Sequence, residues 1–365
     1  MILNRRQFAL SAAALGLTAC ASAPAAAPAA PKAPATWRLL PTEAYPGKQD
    51  DISFVNPDVG WYGNGAGKLF ATRDGGETWT KVFDQPGTFI RALGFADEKN
   101  GYLGNVGTEY YPGVTDETAL YRTRDGGLTW SPVTAEGIAI VRGICGIDIV
   151  PRTTIYQGEL RSNPIIHAAG RVGGPATMLR SIDGGDTWKV IDLRSHAGMI
   201  LDVKFFDADN GLVCAATATD VSQANALMLR TADGGATWSE VYRSARAFEN
   251  CWKMSFPTRD VGYATVQNYE DGKSRRVFIK TTDGGKSWTE LPLVDDAAVR
   301  QFGIGFVDPN TGWIGTGTTG FATTDGGATW TPAEMGRAVN KIRILRYGKS
   351  VRVYAIGVQL HRLDA

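Results

Sequence analysis

Histidine is almost missing from this chain: His167, His196 and His361 are the only three in 365 residues. They are too few and too dispersed for a histidine-based metal centre. Cysteine is nearly as sparse, with Cys20 near the N-terminus and Cys145, Cys214 and Cys251 far apart in the body. Their spacing matches no metal site, and three body cysteines leave room for at most one disulfide, for which Cys214 with Cys251 is the pair to test. All three lie in strand-like runs, where cysteine usually serves as a small buried apolar residue. There is no Gly-x-Ser-x-Gly elbow, no phosphate loop and no His-Glu-x-x-His, so no catalytic residue, metal or cofactor is assigned. An excess of one charge is lacking too: 38 basic residues face 37 acidic ones, which leaves no electrostatic footprint for nucleic acid.

What the chain has in quantity is glycine, 44 residues, and much of it falls in one phrase, Asp-Gly-Gly-x-Thr/Ser-Trp. Six copies begin at Asp74, Asp125, Asp183, Asp233, Asp283 and Asp325. Their tryptophans, Trp79, Trp130, Trp188, Trp238, Trp288 and Trp330, are spaced by 51, 58, 50, 50 and 42 residues. A repeat of that length is one four-stranded unit, and such units stack radially into a β-propeller. Asp-Gly-Gly between apolar runs is hairpin-turn chemistry, because glycine takes positive φ without a Cβ clash. The carboxylate can accept hydrogen bonds from its own turn, and the tryptophan opens the next strand with a large apolar surface. Nothing in the phrase is a nucleophile or an acid/base pair, so it reads as structure.

Before each box runs a second phrase, an apolar strand ending in Phe and a Gly six residues later: Phe54 and Gly60, Phe95 and Gly101, Phe205 and Gly211, Phe256 and Gly262, Phe306 and Gly312. Blade three is a looser copy, with Ile144–Ile147 as its first strand and Thr154–Tyr156 as its second. After the last box, residues 341–345, 351–356 and 359–363 supply three strands of a seventh blade, and the chain then ends. The phrase Thr36-Trp37-Arg38-Leu39-Leu40-Pro41 copies the outer strand Ser287-Trp288-Thr289-Glu290-Leu291-Pro292 but has no box before it. The reading is all-β: a single seven-bladed propeller over 36–365 with six Asp boxes, its last blade closed by the N-terminal strand, which also removes open sheet edges.

The N-terminus reads as an address. Asn4-Arg5-Arg6-Gln7-Phe8 resembles a twin-arginine export motif, and the apolar stretch Ala9–Leu17 is too short to remain as a membrane span. Leu17-Thr18-Ala19-Cys20 resembles a bacterial lipobox, with Cys20 the lipidated residue and 1–19 removed. Ala21 after it resembles the sorting rule for the outer membrane. Residues 20–35 then form an Ala/Pro tether with no core-forming capacity. The expected location is the cell envelope, on the periplasmic face of the outer membrane, or the thylakoid lumen side in an oxygenic phototroph.

Boxes and the turns after the inner strands share one face of the ring, so a recognition surface is sought on the other. There, inner strands begin and second strands connect to third strands. Arg91, Arg142 and Trp252 stand at inner-strand starts, with Asp202, Lys253, Arg300 and Lys341. Tyr110 and Tyr111 lie in the connection of blade two, and Glu159, Arg161, Asn163, His167 and Arg171 are placed in that of blade three. Arg91, Arg142, Arg161, Arg171, Tyr110, Tyr111 and Trp252 are the binding candidates, because arginine and aromatics are what recognition surfaces favour. The competing reading is that Arg91 and Arg142 only pair with nearby acids such as Asp51 or Asp202.

The boxes resemble the bacterial neuraminidase (BNR) repeat. Together with the Phe-x-x-x-x-x-Gly phrases and the lipobox, they resemble the photosystem II stability/assembly factor family across 36–365. That resemblance implies a non-enzymatic monomeric platform that binds a protein partner, a membrane-protein client, through an arginine patch. Here Arg91, Arg142, Arg161 and Arg171 would correspond to that patch. Sialidases share the box, but no Arg-Ile-Pro phrase occurs here, and xyloglucan-cleaving relatives resemble two tandem seven-bladed rings. A glycosidase pair such as Asp202 with Glu159 stays open as the enzyme alternative, and a sortilin-like or generic ligand-binding scaffold is the third.

Overall fold

A computed structural model describes residues 36–270, 276–294, 296 and 299–365; the leader and tether read above lie outside them. The strands form seven four-stranded antiparallel sheets, six of them pairing in chain order within one segment. The inner strands are Gln49–Phe54, Ile90–Phe95, Gly146–Val150, Met199–Phe205, Glu249–Ser255, Gln301–Phe306 and Lys341–Tyr347. The seventh sheet takes its outer strand, Arg38–Leu39, from the start of the chain, paired as Arg38↔Arg362 and Leu39↔His361. Leu40 donates its N–H to the Leu360 carbonyl at 2.9 Å. Its side chain is buried with Ile52, Tyr62, Tyr354 and Leu360, whereas Leu39 points outward.

The Phe–Gly phrase has a steric cause. A Cβ on Gly60, Gly101, Gly211, Gly262 or Gly312 would come within 2.3–2.6 Å of the preceding phenylalanine ring. The ring therefore lies across the neighbouring strand's bare backbone. It is then free to stack on an aromatic from the second strand of the preceding blade. The pairs are Trp61 on Phe95 at 3.6 Å, Tyr263 on Phe306 at 3.6 Å and Tyr354 on Phe54 at 4.4 Å, the last joining blade seven to blade one.

Box geometry repeats six times. In the third box, Ser181 Oγ donates to Asp183 Oδ1 at 2.8 Å, and the Thr187 N–H donates to the same oxygen at 2.9 Å. The Gly185 N–H closes the turn on Ser181 Oγ at 2.8 Å. Both glycines sit at positive φ, 71° and 86°. The box carbonyls also receive donors from the preceding blade: Trp61 Nε1 to Gly126 O at 2.9 Å, Tyr102 Oη to Gly184 O at 2.9 Å, and Arg362 Nη1 to Gly75 O at 3.0 Å. A box thus fixes its own hairpin and locks one blade to the next. Asp183→Ala removes the acceptor for this turn, and an expected loss of about 1–3 kcal/mol follows; native-like denaturant unfolding of that variant would refute a structural role.

Blade three departs from the sequence reading. Its second strand is Ile165–Ala169, in register Gly146↔Ala169 with the inner strand. Thr153–Tyr156 instead pairs with Glu159–Ser162 as a separate two-stranded hairpin. Ile165–Ala169 is buried along its whole length between blades, whereas Ile155 of the other run is exposed to solvent. His167 is consequently a strand residue, buried and stacked on Phe205 at 3.5 Å, in the place held by Trp61 and Tyr263 elsewhere. Burial lowers its pKa to about 3, so it is a neutral packing ring. Cys145, Cys214 and Cys251 are all free and buried. Cys214 and Cys251 share one apolar cluster between blades four and five, and burial pushes both thiols up.

Candidate functional site

Most inner strands carry a β-bulge near their start, between Gln49 and Asp51, Ile90 and Ala92, Ile200 and Asp202, Cys251 and Met254, and Gln301 and Ile304. A bulge re-aims a side chain that regular alternation would place elsewhere. The residues so inserted are Asp50, Arg91, Leu201, Trp252 with Lys253, and Phe302 with Gly303, and they gather at the channel end away from the boxes. Arg91 is fully buried, ion-paired to Asp50, and its guanidinium lies 5.1 Å from the Trp252 ring. Its Nε and Nη2 have no partner. Lys48 Nζ stands 5.9 Å over the Phe302 ring; burial, then the Arg91 charge, lowers its pKa to about 8. Lys253 Nζ donates to the Cys145 carbonyl at 3.3 Å and lies 3.5 Å from Asp202 Oδ1.

One step down the channel, Asp51 is the hub. It accepts from Lys341 Nζ at 2.6 Å, from Arg343 Nε and Nη2 at 3.0 and 2.8 Å, and from the Leu93 N–H at 2.8 Å. Blades seven, one and two therefore meet on one buried carboxylate. Asp148 and Asp202 are tied in the same manner to the Phe205 and Met254 N–H groups of their next blades. Those two carboxylates line a cavity of about 240 Å³ at the box-side mouth, with Lys204, Arg343 and Arg346. Glu159, offered by the sequence as a partner for Asp202, is not among its lining residues; it sits on the inserted hairpin, 3.5 Å from Arg161.

On the loop face, above the bulges, four of the sequence candidates come together. Arg142 Nη2 donates to Glu109 Oε1 at 2.9 Å, and Arg171 Nη2 lies 3.7 Å from Glu109 Oε2. Arg171 is buried and held by the Gly174 carbonyl at 2.6 Å and by the Thr108 carbonyl; Arg142 is half exposed. Tyr110 meets Tyr111 edge-on at 4.8 Å, and Tyr111 stacks on Phe89 at 4.7 Å. Burial pushes Tyr111 up to about 12, so it stays a neutral hydroxyl. Across the face, Arg300 lies 4.6 Å from the Tyr269 ring.

Three backbone outliers mark this face. Glu109, Phe248 and Ala338 have φ of 75°, 63° and 51°, a region costly for non-glycine residues and concentrated at functional sites. The strained turn at Glu109 is what presents its carboxylate to both arginines.

Three candidates stand elsewhere than expected. Arg91 is not on an exposed rim, because the bulge turns it into the channel; its acid is Asp50, neither Asp51 nor Asp202. Trp252 is buried beneath it. Arg161 lies on the hairpin after the inner strand, whose base touches the third box through Gly184 N–H to Pro164 O at 3.2 Å, so it belongs to the box face. Lys48 and Asp50 are not among the sequence candidates, and Glu109, which the sequence places beside Tyr110 and Tyr111 in the blade-two connection, is there without a binding role. No local pattern marks them; only the bulge and the turn geometry bring them in.

Residues 186–298 match the family profile described as photosynthesis system II assembly factor YCF48. The photosystem II assembly lipoprotein Ycf48 of Synechocystis sp. is 33% identical over 81 residues, 21% of this chain and 21% of that protein. The xyloglucanase Xgh74A of Acetivibrio thermocellus is 26% identical over 225 residues, 55% of this chain and 24% of the enzyme. The chain thus spans only about a quarter of the xyloglucanase's length. Among solved structures, YCF48 bound to D1 peptide superposes with a TM-score of 0.60 at 18% identity, covering 94% of this chain and 99% of that one; that likeness establishes the shared fold. The chain is a BNR-repeat, seven-bladed β-propeller that resembles the photosystem II assembly factor Ycf48.

Proposed function

We propose that this protein is a non-enzymatic, envelope-anchored binding platform that holds a carboxylate-bearing segment of a partner protein on its loop face. The observation that carries the reading is the convergence of Arg142 and Arg171 on the Glu109 carboxylate beside Tyr110 and Tyr111. Two guanidinium groups aimed at one carboxylate form a site that an incoming carboxylate can share or take over, since arginine pairs carboxylates in a planar, two-bonded fashion. Neighbouring aromatics add contact area at low entropic cost. The likeness to Ycf48 supports a protein ligand and a lipid anchor, here on Cys20, with the tether of 20–35 holding a monomeric propeller at the periplasmic face of the outer membrane. Membrane-protein clients are the partner class that fits.

Arg142→Glu combined with Tyr110→Ala tests this reading. Both side chains are at least partly exposed, so the melting temperature is expected to stay unchanged. Recovery of the partner from envelope extracts is expected to fall at least about tenfold. Unchanged recovery removes the loop face from the binding site. The likeness to a xyloglucanase supplies the rival outcome: hydrolysis of xyloglucan or sialosides by the purified chain would overturn the non-enzymatic reading.

A further inference from the structure

The hairpin Thr153–Tyr156 with Glu159–Ser162 adds nothing to the ring. It is attached at its base by the Asn163 N–H to the Arg152 carbonyl at 2.7 Å and by Arg152 Nε to the Asn163 carbonyl at 3.0 Å. Ile155 and Leu160 are opposed in its register and stand side by side. They are 74% and 76% exposed, more than any other large apolar residue described. Ile182 in the third box and Leu128 in the second box are exposed on the same face of neighbouring blades. An isolated two-stranded hairpin is marginal in water, and a cluster of exposed large apolar residues marks an interaction surface.

The chain enters the propeller on that same face. The strand Leu360–Asp364 runs towards the box side, so the antiparallel strand Arg38–Leu39 begins there. Arg38 accordingly pairs with Glu77 of the first box, Nη1 to Oε2 at 2.8 Å. Fifteen residues, mostly Ala and Pro, separate Thr36 from Cys20, a reach of about 45 Å when extended at roughly 3.1 Å per residue.

We infer that the box face is the membrane-facing side of the protein, and that Ile155 and Leu160 insert at the headgroup level of the bilayer. This rests on the Cys20 anchor proposed above. The occupant is lipid because the tether delivers this face to a bilayer, and a single acyl-anchored attachment gains from a second apolar contact. The arginine–tyrosine face then points into the periplasm, where it meets segments of a membrane-protein client that project from the bilayer or have yet to insert.

The test uses the full lipoprotein on vesicles of phosphatidylethanolamine and phosphatidylglycerol, with a fluorophore on Leu160→Cys and, as the loop-face control, on Glu117→Cys. The native body cysteines are buried and stay unlabelled. A lipid-borne nitroxide is expected to quench the label at position 160 and spare the one at 117. Ile155→Ser with Leu160→Ser, in the unacylated Cys20→Ser chain, is expected to lower vesicle partitioning about tenfold. An acylated protein whose label at 160 stays unquenched overturns the inference while leaving the anchor intact. If mass spectrometry shows Cys20 unacylated, the label at 160 is placed in the Cys20→Ser chain: quenching there keeps the hairpin contact and ends the anchor reading, and no quenching ends both. A shift at 160 in lipid-free buffer that grows with protein concentration assigns the hairpin to a second copy and also overturns it.

Discussion

Asp51→Ala is expected to destabilise the propeller by about 3–5 kcal/mol, because it strands buried cations around a missing carboxylate. Lys341 and Asp51 are both essentially inaccessible, and Arg343 and the Leu93 N–H lose the same acceptor. Blades seven, one and two are joined there, so the loss falls on the seam of the ring. Denaturant unfolding measures it, and a midpoint within error of wild type would sink the hub. The same residue predicts acid sensitivity. Burial alone would push the Asp51 carboxyl up, but Arg343 and Lys341 outweigh it and hold the carboxyl well below the usual range. In the boxes, Thr78 and Thr129 hydrogen bonds hold Asp74 and Asp125 near a pKa of about 2, and the Ser287 bonds do so for Asp283 against burial. A depressed folded pKa contributes stability that is complete above the unfolded value of about 4 and lost as pH falls below it. Stability should therefore begin to fall below about pH 6.5, where the unfolded chain protonates His167 and the folded chain keeps it neutral. It should fall more steeply from about pH 4 towards pH 2 as the carboxylates titrate, with that second fall shallower in Asp51→Ala.

Deleting residues 36–42 is the second large effect expected. Leu40 loses its buried site, and Trp37 loses its edge-on contact with Trp313, 5.7 Å between ring centres. Burial of each such side chain is worth about 1.5–3 kcal/mol. Leu39 contributes little, because it is already exposed. The strand Leu360–Asp364 would also become a bare edge, so association should accompany the lower melting temperature. Calorimetry with light scattering reads both, and a monomer with the wild-type melting temperature is the result that refutes closure by the N-terminal strand.

The fold was legible because its determinants are local. Asp183 and its five counterparts bond within a few residues of themselves, and Gly211 answers Phe205 six positions earlier, so spacing alone exposes them. Blade three was misread for the same reason. Thr153–Tyr156 has strand chemistry, and only the pairing of Gly146 with Ala169 tells which run joins the ring. Half of the candidate site was legible: Arg142, Arg171, Tyr110 and Tyr111 follow from strand order. Arg91 was not, since one extra residue in its strand decides whether it faces solvent or the axis. Glu109 depends on a positive φ that no residue type signals in advance.

The pairing of Arg38 with Arg362 also has a kinetic side. The strand that completes blade seven precedes the other six blades in the chain, and its partner strand follows them, so the two are translated far apart in time. Entropy of closing so long a loop grows only logarithmically, but such non-local pairing slows folding. Six blades can assemble in chain order from their own hairpins, whereas the seventh waits for the two ends to meet. The final event in folding is then a search by a short strand for a waiting edge, and until it succeeds, a second chain's strand can take that place.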